Sequence, residues 1–376
     1  MSVQLIDTAS RQHALALRDL TDAARGFHAM QVLVNDVIEA LSAQWQCPVV
    51  IHRAPAVVAV ADNYDRLHYP SEGASRDARY TRYLTEGALL RTQTSAMIPD
   101  ALRLIAHACY EDVLIACPGL TYRRDSIDRL HTGEPHQLDL WRIKRGILAP
   151  LDLQSMIGTV AHALLPGRAL KQLPASHPYT LNGLEIRVEQ QDAWIEIAEC
   201  GLALPSILAE AGLDCGAHTG LAMGIGLDRV LMLRKGIDDI RLLRSNDSRV
   251  IAQMRDLEPY KAVSSQPAIR RDMSIAVAVE MTAEEIGDRV RAALSGDAEC
   301  IEAVEIVSEE TYYALSLAAR RRLGIQPQQK NVLLRVVLRH LDRPLRSDEA
   351  NEVRDRIYAA LHQGTAHVWA ARDTRL

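Results

Sequence analysis

The stretch LTYRRDSIDRLHTGEPHQLD, residues 120–139, indicates the fold most directly because it combines an extended run, a polar loop and a second extended run. Side chains alternate along a strand, so Arg123 and Asp125 are predicted to share one face of the first run. On the returning run the shared face carries Pro135, Gln137 and Asp139. A cation, two carboxylates and an amide would then converge. A solvated surface hairpin with incidental charges is the alternative for this stretch taken alone.

The segments on either side of this hairpin predict a mixed, largely antiparallel sheet flanked by helices, an α+β fold. Strand-like runs alternate with helical patterns without a regular βαβ rhythm, which is the reason for that prediction. The strand-like runs are 49–52, 56–60, 88–95, 185–189 and 194–198. Near the N-terminus, apolar residues recur at helical spacing in 8–24 and 30–45, which predicts two amphipathic helices.

The length of 376 residues predicts two domains, because single hydrophobic cores stop growing near ~250 to 300 residues. The segment EPYKAVSSQPAIRR, residues 258–271, has little periodicity and is rich in Pro and Ser, so we place the linker there. The expected domains are 1–257, whose first 45 residues carry the N-terminal helices, and 258–376. The second reads as a ferredoxin-like β-α-β-β-α-β domain, with elements at 273–279, 283–294, 300–307, 332–339, 348–361 and 366–371.

The composition indicates a soluble globular protein, with 48% hydrophobic and 24% charged residues. The formal net charge of -5 argues against a chain coated by nucleic acid, so any contact with RNA should be local. The 6 cysteines have neither zinc-site spacing nor the density of a disulfide scaffold. No apolar run approaches the ~18 residues of a membrane helix, and no secretory pattern opens the chain. A cytoplasmic protein without membrane contact is expected.

A second motif, LAMGIGLDRVLML at residues 221–233, places closely spaced glycines directly before an amphipathic helix that carries Arg229. Glycines let a ligand approach the backbone, and an arginine near a helix N-terminus adds to a positive end that suits phosphate. Gly224 and Gly226 also invite a dinucleotide-binding interpretation. The third glycine and the surrounding βαβ unit of that fingerprint are missing, so we set it aside.

Both motifs resemble those of the phenylalanyl-tRNA synthetases, which are class II aminoacyl-tRNA synthetases. YRRD-x-I-D-x-x-H-x-x-x-x-H-Q-x-D is similar to their motif 2, and GIGLDR is similar to their motif 3. Further pieces follow in the family's order: GFHAMQ (26–31), DNYDRLHYP (62–70), LLRTQTS (89–95), WIEIAECG (194–201), GIDDIRLL (236–243) and YKAVSSQPAIRRDMS (260–274). The resemblance implies a class II catalytic domain followed by an anticodon-binding domain.

What the resemblance implies is ATP-dependent activation of phenylalanine or a related aromatic amino acid, and transfer of the aminoacyl group to tRNA. Such chemistry depends mostly on positioning and on neutralising the phosphate charge, with ATP and Mg²⁺ required. Carried over by position, Arg123 would bridge the α-phosphate and the amino-acid carboxylate. Arg229 would clamp ATP from the opposite side, and His131 would touch the polyphosphate. Glu185 and Glu196 would be candidate Mg²⁺ ligands.

Five residues match positions that, in the family, surround the α-amino group of the amino-acid substrate. They are Gln93, Ser95, Asp125, Gln137 and Asp139. Acids and amide oxygens suit an ammonium group. A plain strand end is the alternative interpretation of Gln93 and Ser95.

The pocket departs from the family pattern at several of these positions. Gln93 replaces a histidine, and Pro135 replaces the phenylalanine that stacks on adenine. His177 and Tyr179 stand where bacterial relatives have F-P-F, and Met223 replaces a phenylalanine before motif 3. One explanation is that the chain avoids phenylalanine, of which it has 1, and keeps the same substrate. The other is altered specificity, because His177 and Tyr179 bring polar atoms into an aromatic wall.

Basic residues gather in the C-terminal part, where a local patch suits contact with the tRNA backbone; a solvated loop is the alternative. They are Arg320, Arg321, Arg322 and Lys330. The layout resembles the single-chain organellar enzymes, which implies a monomer, with a homodimer as the alternative. Rival functions are a divergent paralogue that uses a non-standard amino acid or an acceptor other than tRNA, and a catalytically silent regulatory or RNA-binding protein.

Overall fold

The computed structural model describes residues 5–108, 110–190, 193–263 and 266–367. The chain divides into two compact units. The first unit comprises 1–123, 134–238 and 251–260, and the second comprises 124–133, 239–250 and 261–376. The loop 124–133 therefore groups with the C-terminal part of the chain, although both of its flanks belong to the first unit.

The helices and strands are numbered in chain order. The helices are α1 (Thr8–Ala16), α2 (Ala29–Trp45), α3 (Val60–Asn63), α4 (Ile98–Ala108), α5 (Pro150–Leu164), α6 (Pro205–Glu210), α7 (Leu227–Lys235), α8 (Ser248–Gln253), α9 (Ala283–Leu294), α10 (Leu317–Leu323) and α11 (Ser347–Leu361). The strands are β1 (Val49–Ile51), β2 (Val57–Ala59), β3 (Tyr83–Thr85), β4 (Ala88–Leu90), β5 (Asp112–Leu120), β6 (His136–Arg145), β7 (Leu170–Pro174), β8 (Thr180–Gln190), β9 (Ala193–Ala203), β10 (His218–Gly226), β11 (Ile269–Ala278), β12 (Ile301–Thr311) and β13 (Gln329–Leu338).

A seven-stranded sheet organises the first unit, with strand order β1-β5-β6-β10-β9-β8-β7. β1 pairs with β5 in parallel, and the other neighbours pair in antiparallel. A small sheet of β2, β4 and β3 lies in the same unit. The predicted mixed, largely antiparallel sheet is thus confirmed. The side chains of its central strands are buried on both faces of the sheet, because helices and loops cover each face.

The second unit contains an antiparallel sheet of order β11-β13-β12, with α9 and α11 packed on it. The pattern β-α-β-β-α agrees with the first part of the ferredoxin-like prediction. α9 begins with a capping box in which Thr282 and Glu285 each bond the other's backbone N–H, which explains its sharp start. α10 was not predicted. Most of the predicted last strand, 366–371, lies outside the described residues.

The first extended run of the hairpin is shorter than predicted, since β5 ends at Leu120 and Arg123 makes only an isolated backbone bridge with Thr81. The expectation that Arg123 and Asp125 share one strand face is therefore wrong. The reason lies in the loop that follows: Ile127 is buried with the core of the second unit. Arg291 of α9 also donates to the carbonyl oxygens of Asp125 (2.7 Å) and Ser126 (2.8 Å).

Candidate active site

Sheet topology brings the two predicted arginines to the same end of the large sheet. β5 and β10 both pair in antiparallel with β6, so they run in the same direction on either side of it. The last residue of β5 lies opposite His136, and the last residue of β10 lies opposite Gln137. Arg123 and Arg229 each follow their strand by three residues. Both arginines therefore lie at the end of the sheet where β6 begins.

The two arginines differ in how they are held. Arg229, in the first turn of α7, donates from Nη1 to the backbone oxygen of Glu196 at 3.1 Å. Arg123 is half-buried, and its buried Nε has no hydrogen-bond partner within the described parts of the chain. An unpaired buried donor is costly in a protein. Such a donor favours an anionic ligand that would complete its hydrogen bonding.

A buried histidine–aspartate pair fixes the start of α7, directly before Arg229. Asp228 accepts hydrogen bonds from the backbone N–H of His136 and from its ring Nδ1, the latter at 3.0 Å. The other ring nitrogen, Nε2, accepts from the backbone N–H of Leu20 at 3.1 Å, so the ring proton resides on Nδ1. The pair joins the first residue of β6 to α7 and thereby holds Arg229 at the sheet edge.

Asp139 is the most unusual group of the site, because its carboxylate is 2% exposed and has no basic partner within hydrogen-bond distance among the described residues. Its oxygens accept from the Thr94 hydroxyl (2.7 Å), the Ser95 hydroxyl (3.0 Å) and, more distantly, the Trp141 indole N–H (3.4 Å). Burial raises the pKa of Asp139 to about 6, although the hydroxyl and indole donors act in the opposite direction. A buried acid of this kind favours a bound cation.

Asp139 stands in a transverse row of acids on one face of the sheet. The register pairs Asp139 with Gly224, Gly224 with Glu199, and Glu199 with Glu185. Residues paired in register point to the same face. A Cβ on Gly224 would lie 3.8 Å from Asp139 Oδ2, so the glycine leaves open backbone between two acids.

Glu185 and Glu196, the predicted Mg²⁺ ligands, lie near each other on β8 and β9. Glu185 already pairs with Arg187 Nε. The pKa of Glu196 is raised by desolvation and by Glu199 and Glu185, while Arg229 lowers it. Within the described ranges there is no group of three or more His, Cys, Asp or Glu arranged to hold a metal by themselves. Any Mg²⁺ here would need phosphate oxygens of a substrate, as Mg²⁺ usually does.

An aromatic wall stands on the same face as Asp139, one step further along β6. Trp141 stacks on Tyr179 with ring centroids 6.0 Å apart, and Tyr69 lies 6.2 Å from Tyr179. His177 is tilted against Tyr179 at 6.0 Å. Burial raises the pKa of Tyr179 well above its ordinary value, so its hydroxyl stays neutral. The wall is part of the buried core beside the acid, since Trp141 is fully buried and Tyr179 is 8% exposed.

The amide residues of the predicted set are engaged with the protein itself. Gln93 accepts from the Tyr69 hydroxyl (2.8 Å) and donates to the backbone oxygen of Asn63 (3.0 Å). Gln137 accepts from the backbone N–H of Thr94 at 3.2 Å. These bonds hold the 3₁₀ turn Thr94–Met97 over β6 and so orient the hydroxyls of Thr94 and Ser95 toward Asp139.

Met223 faces away from this site, which corrects its predicted place in the amino-acid pocket. Strand alternation puts Ala222 and Gly224 on the face of Trp141 and Asp139, and Met223 on the opposite face. Met223 is 2% exposed and lies opposite Leu140 and Cys200 in the register. Its conformation follows from β10 being a regular strand between two partners.

Asp125 and His131 belong to the loop 124–133 and hence to the second unit. Asp128 accepts from the ring Nδ1 of His131 at 2.7 Å, and the Asp125 carboxylate accepts from the backbone N–H of Ser126 at 2.9 Å. Pro135, just before β6 in the first unit, accepts from the N–H of Thr121 at 2.8 Å. The structure brings Ser95, Gln137, Asp139, His177 and Tyr179 onto one face, and it does not bring Asp125 or His131 together with them within that unit.

The basic residues of the second unit are partly engaged. Arg320 lies over the ring of Tyr312 at 4.4 Å and donates to the backbone oxygen of Tyr313, and Lys330 pairs with Glu309 at 2.9 Å. Arg321 and Arg322 project from α10 and are exposed.

Sequence reasoning missed Thr94 and the aromatic residues Tyr69 and Trp141. Trp141 could have been found, because strand alternation continues the series Gln137, Asp139 to the next residue on that face. Thr94 carried no such signal, since its hydroxyl reaches Asp139 only through the turn that begins at this residue.

Comparison with known proteins agrees with this architecture. The model of the tRNA synthetases class II core domain (F) matches residues 21–254. The phenylalanine–tRNA ligase alpha subunits of Bacillus licheniformis and Bacillus pumilus are 33% and 31% identical over 218 and 241 residues, which are 54% and 61% of this chain. The subunit of Bacillus subtilis is 30% identical over 246 residues, or 62% of this chain.

The matched regions span 62%, 68% and 70% of those three relatives, respectively. Among solved structures, the pyrrolysyl-tRNA synthetase from Desulfitobacterium hafniense is 17% identical with a TM-score of 0.47, and the match covers 63% of this chain and 80% of that one. None of the helices in the described residues is both long and apolar enough to span a bilayer. From the matched core domain and the ligase relatives, the chain belongs to the phenylalanyl-tRNA synthetase family of class II tRNA synthetases.

Proposed function

We propose that this protein activates phenylalanine or a related aromatic amino acid with ATP and passes the aminoacyl group to tRNA. The observation that carries the proposal is the buried Asp139 carboxylate, surrounded by hydroxyls and lying beside a wall of aromatic rings. An amino acid with a flat apolar side chain suits both features, because its ammonium offers the missing positive charge and its ring would pack among the aromatic rings.

The arginines support the nucleotide half of the proposal. Attack of the amino-acid carboxylate on the α-phosphate builds negative charge on the phosphate oxygens, and pyrophosphate leaves. Arg123 and Arg229, at the same end of the sheet, would stabilise that charge, and the unpaired Nε of Arg123 is a suitable donor. The His136–Asp228 pair would keep Arg229 in place during the step.

Mg²⁺ fits the chemistry of the acidic residues at this edge. Glu196 and Glu185 would hold the ion together with phosphate oxygens, and the ion would neutralise charge on the leaving pyrophosphate. Proposed contacts with tRNA lie in the second unit, where Arg321 and Arg322 are exposed and suit phosphate. The family's ligases act on tRNA, and the chain carries a C-terminal unit beyond the matched core. We therefore favour tRNA over another acceptor.

The test is ATP–pyrophosphate exchange with each standard amino acid, with and without Mg²⁺. We expect exchange that depends on an aromatic amino acid and on Mg²⁺, followed by transfer to tRNA when tRNA is added. Exchange driven by a small or acidic amino acid would contradict the pocket assignment. Absence of exchange with every amino acid, from a protein shown to be folded, would refute the enzyme and favour a regulatory role.

A further inference from the structure

Beyond Gly224 the row of acids reaches Glu199, which lies close to His177. The proposed chemistry gives this polar pair no role. His177 Nε2 lies 3.2 Å from Glu199 Oε2, and the side chains are 9% and 44% exposed, respectively. The two atoms are close, yet Nε2 has no hydrogen bond of acceptable geometry within the described residues. A buried polar atom without a well-oriented hydrogen bond is costly, so an external partner would stabilise it.

The histidine is held firmly in this orientation. Its other ring nitrogen lies 3.2 Å from the Thr180 hydroxyl, and its ring packs on Tyr179. Gly183 makes room for it, since a Cβ there would lie 2.9 Å from His177 Nδ1. The Nε2 edge is therefore directed at Glu199 by packing on two sides.

The distance along the row suits a single amino acid. Asp139 and Glu199 are separated by one strand, β10, so their backbones lie about 9.5 Å apart, two strand spacings. Gly224 lies between them and has no side chain to block that path. A substrate whose ammonium meets Asp139 and whose ring lies along the aromatic wall would bring its far end to His177 and Glu199.

The chemistry at that end favours a hydroxyl group. Glu199 offers acceptor oxygens, and His177 offers a ring nitrogen whose N–H can donate. A hydroxyl both donates and accepts, so it can bond Glu199 and His177 at once, whereas an unsubstituted ring would bond neither and would leave His177 Nε2 without a well-oriented hydrogen bond. Sites built to bond a substrate hydroxyl discriminate strongly against analogues that lack it.

We propose that His177 and Glu199 select an aromatic amino acid that carries a hydroxyl group. This inference rests on the proposed function and specifies its substrate class. The Tyr69 hydroxyl, on another ring of the wall, already donates to Gln93, so it is not a second unpaired group.

The experiment compares kcat/KM in ATP–pyrophosphate exchange for phenylalanine, tyrosine, 3-hydroxyphenylalanine and β-hydroxyphenylalanine. We expect a ring-hydroxylated substrate, tyrosine or 3-hydroxyphenylalanine, to exceed phenylalanine by about 100-fold or more in the unaltered protein, whereas β-hydroxyphenylalanine, whose hydroxyl lies beside the ammonium, should not. His177→Phe and Glu199→Gln should each reduce that ratio at least tenfold. The control Glu111→Gln, which removes a carboxylate from an exposed ion pair with Arg145, should leave the ratio unchanged.

The outcomes separate the two proposals. Preference for phenylalanine, with a ratio that neither variant alters, overturns the inference while the ligase assignment stands. Exchange by no aromatic amino acid overturns the proposed function itself, and the inference with it. Circular dichroism of both variants shows whether a lost ratio reflects a lost fold, and Glu199→Gln, at a partly exposed position, supplies the test if His177→Phe does not fold.

Discussion

The buried Asp139 predicts a distinct dependence of stability on pH. Its pKa is raised from 3.8 to about 6, so the folded protein holds a proton that the unfolded chain has already released between these values. The difference corresponds to about 3 kcal/mol, at about 1.4 kcal/mol for each factor of ten. Because the folded state binds the proton more tightly, this contribution is complete below pH ~4 and is lost as pH rises through about 6.

The change that reveals it is Asp139→Asn, which removes the ionisation and keeps the size of the side chain. We expect the free energy of unfolding of the unaltered protein, minus that of the variant, to fall by about 2–3 kcal/mol between pH 4 and pH 8. Urea denaturation at several pH values measures this difference. Glu111→Gln serves as a control for the loss of one exposed carboxylate. A difference that stays constant across the range would refute the reasoning.

The same group links substrate binding to pH. An ammonium placed beside Asp139 would lower the pKa of the carboxyl, so binding would release a proton near pH 6. Affinity for the amino acid should then increase as pH rises through about 6, which calorimetry in buffers of different ionisation enthalpy can measure. Binding without proton release at pH 6 would place the ammonium elsewhere.

Three further predictions concern other parts of the molecule. Arg123→Ala and Arg229→Ala should each lower adenylate formation by about 100-fold or more without unfolding the protein, and normal exchange in either would overturn its role. The double change Arg321→Ala with Arg322→Ala should weaken tRNA binding and reduce the slope of log affinity against log salt by about 2, with adenylate formation spared; an unchanged slope would remove both residues from the RNA surface. Gly287→Ala should destabilise the second unit by about 1–3 kcal/mol, because the new Cβ would lie 2.7 Å from a backbone oxygen, and an unchanged urea midpoint would contradict that contact.

The sequence predicts the position of a site residue well where that position depends only on the residue's own helix or strand. Gln137 and Asp139 share a face as expected, because β6 is a regular strand and alternation is a local property. The predicted place of Met223 in the amino-acid pocket is wrong for the same reason. Neighbouring residues of a strand point to opposite faces, and Gly224 rather than Met223 shares the face of Asp139. Asp125 could not be placed from local pattern, because the burial of Ile127 in the second unit's core determines the course of its loop.

The larger architecture was predictable where the local signals agreed. The predicted limits 283–294 coincide with those of α9, and the apolar spacing in 30–45 led to limits close to those of α2. The raised pKa of Asp139 could not be read from sequence, because it depends on burial by a turn from a distant segment. The unpaired atoms of Arg123 and His177 likewise become visible only when the surrounding side chains are known.

The assignment of residues 124–133 to the second unit affects how the protein can be dissected. A fragment that ends near residue 257 would retain the loop but lose the core that covers Ile127 and the guanidinium of Arg291 that anchors it. Inactivity of such a fragment would then reflect a misplaced loop as readily as a missing RNA surface. Point changes in α10 are consequently a sounder way to separate amino-acid activation from acceptor recognition than shortening the chain.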